Sequence, residues 1–302
     1  MNRRGFLAGI AGLALAGCGP RERRVAVGTK NFTEQLVLGE LLAQVLEERT
    51  TTPVERRFYL AGTYICHQAI LAGRIDMYVE YTGTALAAIL KQPVRSGSER
   101  VFETVRQQYR NRFNLTVLPS LGFNNSFALA MRGEDARAKG LATLSQLAAY
   151  APGMRIGVGY EFLERADGFS GLSKTYQLRF AAQPSVMDLG LLYRALQSKQ
   201  VDIVAGSNTD AMIAALGLVV LEDDKNYFPP YDAVPIIRPQ ALNGMYGVQP
   251  ALEQLSGRIT TDDMRNMNFA VDGKKQNVSD VVRNFIALRL NAASSRVSGR
   301  PK

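Results

Sequence analysis

The amino-acid sequence predicts an α/β protein of two lobes, with two crossovers between the lobes and a ligand cleft where they meet. A βαβαβ order of strand and helix patterns occurs twice along the 302 residues. The sequence AGRIDM at 72–77 also recurs in pattern as SKQVDI at 198–203. Two copies of one element order, each with the same short motif, indicate two related lobes.

The first residues have the layout of an export signal. Arg3 and Arg4 precede an apolar stretch at 6–16, which is shorter than the roughly 20 apolar residues that a membrane-spanning helix needs. The stretch ends in Leu-Ala-Gly before Cys18 and resembles the lipobox of bacterial lipoproteins. We therefore predict a lipoprotein signal peptide at 1–18 and lipidation of Cys18. A plain signal peptide is the alternative, and the paired arginines leave both Sec and twin-arginine export open.

The composition argues against a disulfide scaffold and against nucleic-acid binding. The chain has 2 cysteines, so lipidation of Cys18 leaves Cys66 without an intrachain partner. The formal net charge is +9, but basic residues are in local excess only at 21–24 and 296–302. This pattern favours a basic soluble protein beside an anionic membrane, with no nucleic-acid partner.

The first half of the chain has the clearest element signals. A buried strand is predicted at 24–27, and a loop leads from it into a long helix. Asn31 is expected to cap this helix, and Glu34 to complete a capping box. A strand at 54–60, a helix at 63–71 and a strand at 75–79 follow.

The second half repeats this order. Strands are predicted at 154–158, near Arg179 and at 201–205, with helices at 172–176 and 187–197. Two parallel sheets follow from this alternation. Because ligands in open α/β sheets lie beyond the carboxyl ends of strands, we expect the loops at 28–31, 81–84 and 207–210 to face one cleft.

Two segments are expected to cross between the lobes. A strand at 126–131 leads from lobe 1 to lobe 2, and the segment at 229–235 leads back. Lobe 1 is therefore predicted at 24–125 plus 232–302, and lobe 2 at 126–231. Helices at 252–255, 261–268 and 278–290 complete lobe 1, and two crossovers form a hinge over which the lobes can close.

A search for catalytic and metal-binding patterns finds no reactive set. His67 is the only histidine, which removes a two-histidine metal site. Cys66 is its neighbour, and adjacent residues on a helix point to different sides. Gly28 begins a loop without the spacing of a phosphate loop. Asp76 and Asp202 hold the same place in each half, which favours a structural role. We predict a protein that is not an enzyme and has no metal or organic cofactor.

Polar and aromatic groups near the predicted strand ends are typical of a binding protein instead. The candidate ligand-binding residues are Thr29, Lys30, Asn31, Gln35, Gly62, Thr63, Tyr81, Thr82, Asn125, Phe127, Ser207, Asn208, Thr209, Asp210 and Tyr231. This set predicts a small-molecule solute as the ligand.

Several motifs resemble one known family. They are VGTKNFTEQ at 27–35, EYTGT at 80–84, RADG at 165–168, and VLEDDK at 220–225 followed by FPPY at 228–231. Together they resemble the glycine betaine, choline and carnitine substrate-binding proteins of osmoprotectant ABC transporters. The resemblance implies the type II periplasmic-binding fold and ABC permease subunits as partners. Together with the lipobox-like sequence before Cys18, this predicts a lipid-anchored protein in the periplasm or on the outer face of the cytoplasmic membrane.

The resemblance further implies an aromatic cage, because a quaternary ammonium has no N–H to donate and is recognised through ring faces. Tyr81 and Tyr231 match cage tyrosines, and Phe127 replaces a third tyrosine while keeping the ring. Ser207 stands where the fourth tyrosine is expected. Lys30, or backbone amides at the start of the first helix, would hold a ligand carboxylate.

Two alternatives stay open on the sequence alone. Because Ser207 replaces a ring, the cleft can suit a more polar solute, such as an amino acid, a thiol-histidine betaine or a bulkier ligand. The second alternative is an enzyme or a regulatory sensor on the same scaffold, since fold does not fix function. It needs a reactive pair or an output domain, neither of which we find in the sequence.

Overall fold

The structure is a computed structural model that describes residues 24–93, 97–243 and 247–291. The predicted signal peptide at 1–18, with Cys18, lies outside the described residues. The strands are β1 Val25–Lys30, β2 Val54–Ala61, β3 Met77–Tyr81, β4 Thr116–Val117, β5 Phe127–Arg132, β6 Ile156–Val158, β7 Ser185–Val186, β8 Ile203–Ser207, β9 Leu218–Leu221 and β10 Ala233–Ile237.

The helices alternate with these strands and close the chain. They are α1 Thr33–Arg49, α2 Thr63–Leu71, α3 Thr82–Thr84, α4 Ser98–Phe113, α5 Gly133–Lys139, α6 Leu144–Leu147, α7 Tyr160–Glu164, α8 Phe169–Tyr176, α9 Leu189–Gln197, α10 Met212–Ala215, α11 Pro239–Asn243, α12 Val248–Glu253, α13 Thr261–Asp272 and α14 Val278–Phe285. Short π-helical turns follow α3 at Ala85–Ile89 and α14 at Ile286–Asn291, and a 3₁₀ turn lies at Ala151–Gly153.

The strands form two five-stranded sheets, with the orders β2-β1-β3-β10-β4 and β7-β6-β8-β5-β9. In the first sheet β1 is parallel to β2 and β3, and in the second β6 is parallel to β7 and β8. The prediction of a two-lobed α/β fold is confirmed. The prediction of wholly parallel sheets is wrong, because β10 and β5 run antiparallel to their neighbours. The chain comes from the other lobe immediately before each of these two strands, so each strand runs in the direction opposite to its neighbours.

Both faces of each sheet are covered by apolar side chains. In lobe 1, α1 lies between the sheet and the C-terminal helices α12 to α14, so Leu38 and Leu42 are fully buried together with Val282. A second core on the other face includes Ile70 of α2 and Val105 of α4. Lobe 2 has the same two-faced arrangement. Burial on both sides fixes each sheet as a rigid support for the loops at its strand ends.

The two crossover segments lie side by side. The amide of Asn125 donates to the carbonyl of Tyr231 at 2.9 Å, and the amide of Ala233 donates to the carbonyl of Phe123 at 3.1 Å. An antiparallel bridge between Asn124 and Asp232 lies within this pairing. The paired crossovers support the proposed lobe boundaries at 125/126 and 231/232.

The motif shared by the two halves has one structural role in both. The Asp76 carboxylate accepts the Ala26 amide at 2.9 Å, and the Asp202 carboxylate accepts the Arg155 amide at 2.8 Å. Each aspartate thereby ties the start of one strand to the strand beside it. The structural role predicted for both residues is confirmed.

Two local predictions are wrong. Residues near Arg179 form no strand. The edge strand β7 begins later, at Ser185, and is only two residues long. Asn31 does not cap α1, whose N-cap position is Phe32 without a side-chain hydrogen bond. Glu34 makes no capping box either, because its carboxylate is bound by donors in the cleft.

Two properties of the whole chain bear on function. Among the described residues, every helix is too short or too polar to cross a membrane. In the same part of the chain, no group of three or more His, Cys, Asp and Glu residues is placed to hold a metal ion.

Candidate ligand-binding site

The end of β1 carries a buried ion pair beside an aromatic ring. Lys30 Nζ lies 2.5 Å from Glu80 Oε1, and the two side chains are 3% and 0% exposed. The same ammonium lies 4.9 Å from the centroid of the Tyr81 ring. The amide of Tyr81 donates to Glu80 Oε1 at 2.8 Å, which fixes the carboxylate. The Lys30 ammonium, which the sequence suggested as a partner for a ligand carboxylate, is therefore already paired within the protein.

Glu34 lies at the centre of a polar network. Its Oε1 accepts the Tyr81 hydroxyl at 2.6 Å and Asn125 Nδ2 at 2.5 Å, and its Oε2 accepts Asn268 Nδ2 at 3.1 Å. Burial raises the pKa of Glu34, while hydrogen bonds from Thr209, Tyr81, Asn125 and Asn268 act in the opposite direction. The network joins α1, β3, the first crossover and α13 at one carboxylate.

Aromatic rings gather where the crossovers meet lobe 2. The Phe127 ring lies 5.6 Å from the Tyr231 ring, with an interplanar angle of 76°. Phe162 and Phe228 lie 4.8 Å and 5.7 Å from Phe127. Edge-to-face contacts in this distance range are favourable arrangements of aromatic pairs. Phe127 and Tyr231, predicted as parts of one cage, are therefore together.

Arg165 brings a buried cation to these rings. Its guanidinium carbon lies 4.9 Å from the Phe127 centroid and 5.8 Å from the Tyr231 centroid. Asp167 Oδ1 accepts Arg165 Nε at 2.8 Å, and Thr84 Oγ1 accepts Nη1 at 3.0 Å. Burial lowers the pKa of Arg165, but the charge and hydrogen bonds of Asp167 outweigh this effect and raise it. The guanidinium is thus a fixed positive charge between the rings.

Ser207 stands beside the ring pair. It is the direct register partner of Phe127 in the pairing of β8 with β5. Its hydroxyl donates to Asn125 Oδ1 and lies 2.9 Å from Thr209 Oγ1. Ser207 therefore connects the rings to the polar network around Glu34.

Asp210 fixes the loop that begins at Ser207, at the end of β8. Its Oδ2 accepts the Ser207 amide at 2.8 Å and the Tyr193 hydroxyl at 2.5 Å. Burial raises the pKa of Asp210 to about 6. The carboxylate is committed to groups of its own lobe, so Asp210 holds the Ser207 loop in place.

The lobes touch at the start of α2. Glu161 on α7 accepts the Thr63 amide at 2.5 Å. A Cβ on Gly62 would overlap the same carboxylate, so only glycine leaves room for this contact. Near the cleft, Arg265 Nε also donates to the Asn208 carbonyl at 3.0 Å. Gly62, Thr63 and Asn208 thus lie where the two lobes meet.

The other candidate residues have supporting positions. Thr29 Oγ1 accepts the Tyr59 amide at 2.9 Å, which joins β1 to β2. Thr82 Oγ1 donates to the Pro230 carbonyl at 3.0 Å and fixes the second crossover. Gln35 Nε2 donates to the Tyr81 hydroxyl at 3.1 Å, within the polar network. Asn31 follows β1 and is half-buried.

Sequence reasoning missed four groups at the site. Glu34 was interpreted as a capping residue, and Arg165 and Asp167 were noted only as parts of a motif. Asn268 comes from a C-terminal helix that was assigned to completing lobe 1. The RADG motif was the one signal that could have identified Arg165, because a buried arginine needs its carboxylate partner close by.

Cys66 and His67 do not form a reactive pair. Burial raises the pKa of Cys66 to about 12 and lowers the pKa of His67 to about 4. Both groups are therefore neutral near pH 7, whereas a catalytic cysteine needs its thiolate. His67 packs edge-on against Tyr109 and Phe113 in the core of lobe 1.

Comparison with known families identifies one match over most of the chain. Residues 23–288 match the family described as the substrate binding domain of ABC-type glycine betaine transport system. A crystal structure of a glycine betaine/carnitine/choline ABC transporter protein superposes with a TM-score of 0.72 at 29% identity, and covers 87% of this chain and 97% of the other.

Two relatives extend this comparison. A carnitine transport binding protein of Listeria monocytogenes is 30% identical, over 92% of this chain and 91% of its own length. An ergothioneine transport permease/ergothioneine binding protein of Helicobacter pylori is 36% identical over 88% of this chain. The chain spans only 47% of the length of that second relative.

Proposed function

The chain belongs to the family of substrate-binding domains of ABC-type glycine betaine transport systems, and on this premise we propose how it works. It is an extracytoplasmic receptor that holds a zwitterionic quaternary amine in the cleft and delivers it to the permease of an ABC importer. The prediction that the chain is not an enzyme is confirmed, because the family consists of solute-binding proteins of transporters.

The observation that carries the proposal is the placement of cations against the rings of the cleft. The Phe127 ring and the Tyr231 ring share the Arg165 guanidinium, and Tyr81 faces the Lys30 ammonium. These distances are within the roughly 6 Å over which a cation is attracted to an aromatic face. A solute ammonium would bind to the ring surfaces that these two cations leave uncovered.

Arg165 also offers hydrogen-bond donors to the carboxylate of such a solute. A guanidinium has five N–H donors, and three of those of Arg165 are bonded to Asp167 and Thr84. We propose that the other two donors, which have no partner among the residues at 24–93, 97–243 and 247–291, bind an anion beside the rings. Because ammonium and carboxylate are only one carbon apart in glycine betaine, one residue group can hold both ends.

We propose that the protein acts at the outer face of the cytoplasmic membrane or in the periplasm. The lipobox-like sequence before Cys18 supports a lipid anchor there. An anchored receptor stays close to its permease while its two lobes remain free to open and close.

Variants at Tyr81 test the proposal. Tyr81→Ala removes a ring face that contributes about 0.5 to 2 kcal/mol to cation binding, so the affinity for glycine betaine should fall by about 2- to 30-fold. Tyr81→Phe keeps the ring and should retain most of the affinity. Equilibrium binding of both variants measures the difference, and equal losses would contradict a role for the ring.

A second candidate is the same transport role for a more polar solute, such as an amino acid. Ser207 is the observation in its favour, because a hydroxyl replaces the ring that the family resemblance implies at this position. A cleft with fewer ring faces binds a quaternary amine less tightly and offers more hydrogen bonds.

A further inference from the structure

We propose that two exposed apolar side chains at matching positions of the two lobes, Ile65 and Leu191, dock the closed receptor onto its permease. Tyr59 and Tyr160 lie at the same edge of the lobes, and the four residues are called the docking rim below. The proposal rests on the proposed function, because it assigns the surface through which the solute would be delivered. It concerns residues outside the ligand-binding site.

The repeated motif shows that Ile65 and Leu191 hold equivalent positions. The helices α2 and α9 each have nine residues, and each ends directly before its copy of the motif, at 72–77 and 198–203. Ile65 and Leu191 are both the third residue of their helix. They are 53% and 49% exposed. The same element of the fold therefore presents one apolar side chain to solvent on each lobe.

The composition of α2 is unusual for a helix whose outer face meets water. Its nine residues include no Asp, Glu, Lys or Arg, although 21% of the whole chain is charged. Leu71, in its last turn, is 41% exposed as well. A helix that faces only solvent normally carries charged side chains on that face. Exposed apolar groups without charge are instead typical of the centre of a protein–protein interface.

The backbone before α2 presents Tyr59 to solvent. The pairing of β2 with β1 changes register between Arg57 and Ala61, so residues 58–60 are irregular. Tyr59 lies within this irregularity with a φ of 59°, in the left-handed region that a bulky residue seldom adopts. It is 58% exposed. Such irregularities commonly re-aim a side chain beside a functional site, and this one places an aromatic ring at the edge where α2 begins.

Closure of the lobes brings the two halves of the docking rim together. At the start of α2 the Thr63 amide donates to Glu161, and Tyr160, directly before Glu161, is 65% exposed. Leu189, the first residue of α9, lies so near Gly159 that a Cβ there would come within 2.5 Å of it. Contacts thus run from α2 through α7 to α9. They are complete only while the lobes are together.

The symmetry of the docking rim indicates its partner. Two equivalent apolar side chains on related lobes fit two equivalent apolar sockets, which a permease built from two like subunits or halves presents on its outer face. A permease must also distinguish a loaded receptor from an empty one. A surface that closure assembles provides this distinction, because the permease would favour the same closed form that the solute favours.

Charged substitutions separate docking from solute binding. Ile65→Asp and Leu191→Asp would be introduced singly into the full chain, in cells that depend on it for glycine betaine uptake. Each should lower uptake of radiolabelled glycine betaine at least fivefold, because docking would bury an unpaired charge. The calorimetric affinity of each purified variant should stay within twofold. Leu288→Asp, at a leucine that is 73% exposed after α14, is the matched control and should change neither quantity.

The outcomes distinguish this proposal from the proposed function. Unchanged uptake in both variants, at equal protein levels in immunoblots, would overturn the docking rim alone. Loss of uptake in only one variant would contradict a partner with two equivalent sockets. A parallel loss of solute affinity would assign the residues to binding instead of docking. A parent dimer that either variant converts to a monomer in sedimentation would assign the surface to a second copy of the chain. A parent that binds no quaternary amine would overturn the proposed function as well.

Discussion

Among single residues, the aromatic side chains of the cleft and the cations that already contact them determine how tightly a betaine binds. Lys30 lies over Tyr81, and Arg165 lies over Phe127 and Tyr231. Both cations are held by carboxylates, so they stay in place and restrict where a solute ammonium can approach. Because ring contacts are worth only about 0.5 to 2 kcal/mol each, the number of rings should set the affinity for a quaternary amine.

Replacing Ser207 tests this dependence. Ser207→Tyr adds a ring beside Phe127 and should raise the affinity for glycine betaine by about 2- to 30-fold. The same change should lower the affinity for solutes with a larger side chain, because the ring fills their path. Ser207→Ala controls for loss of the hydroxyl. A fall in glycine betaine affinity in the tyrosine variant, measured by titration, would argue against a missing cage wall.

At the scale of elements, the loop after β8 depends on a buried carboxylate. Asp210 holds the Ser207 amide and the Tyr193 hydroxyl, and the charges of Glu34 and Asp272 act on it from lobe 1. Burial raises its pKa to about 6 from an ordinary value of 3.8. The folded state therefore binds this proton more tightly than the unfolded state does. Stability from this group is present below about pH 4 and is lost as the pH rises through 6.

Asp210→Asn removes the charge and keeps an oxygen for both donors. The variant should be more stable than the parent at pH 8, by on the order of 2 to 3 kcal/mol, and the difference should vanish towards pH 4. Thermal unfolding across this pH range measures the effect. The exposed variant Glu253→Gln serves as the control. A destabilised Asp210→Asn at pH 8 would mean that the loop needs the charge itself.

At the scale of the whole molecule, contacts between the lobes define a closed form. Glu161 reaches across to the Thr63 amide, and Asn268 reaches the Thr209 carbonyl at 3.1 Å. These bonds exist only while the lobes are together. A ligand held between the lobes stabilises the same form, so each contact adds to the apparent affinity.

Gly62→Ala tests the contribution of closure. The added Cβ would displace the Glu161 carboxylate from Thr63, and the loss of a charge-assisted hydrogen bond should lower the apparent ligand affinity by about tenfold. Gly153→Ala is the matched control, because nothing lies within 4 Å of its added Cβ. X-ray scattering with and without ligand should show weaker compaction in Gly62→Ala only. Full compaction with unchanged affinity would contradict the contact's role.

The sequence is informative where a signal is local. The apolar runs of β1 and α1 and the repeated motif at Asp76 and Asp202 were enough to predict two α/β lobes, but not the antiparallel strands β5 and β10. The prediction of a strand near Arg179 is wrong because a two-residue edge strand carries almost no sequence pattern. The prediction of a capping role for Glu34 is wrong for a different reason. Its neighbour Asn268 is 234 residues away in sequence, so its role in the cleft arises from tertiary contacts that no local pattern contains.

Calorimetric titration decides whether the cleft holds a zwitterionic quaternary amine. The chain without its first 18 residues would be titrated calorimetrically with glycine betaine, carnitine, choline and a panel of amino acids. We expect the betaines to bind in the micromolar range and choline, which has no carboxylate for Arg165, to bind about tenfold more weakly. Binding of an amino acid in the absence of any response to a quaternary amine would contradict the assignment of the cleft to betaines.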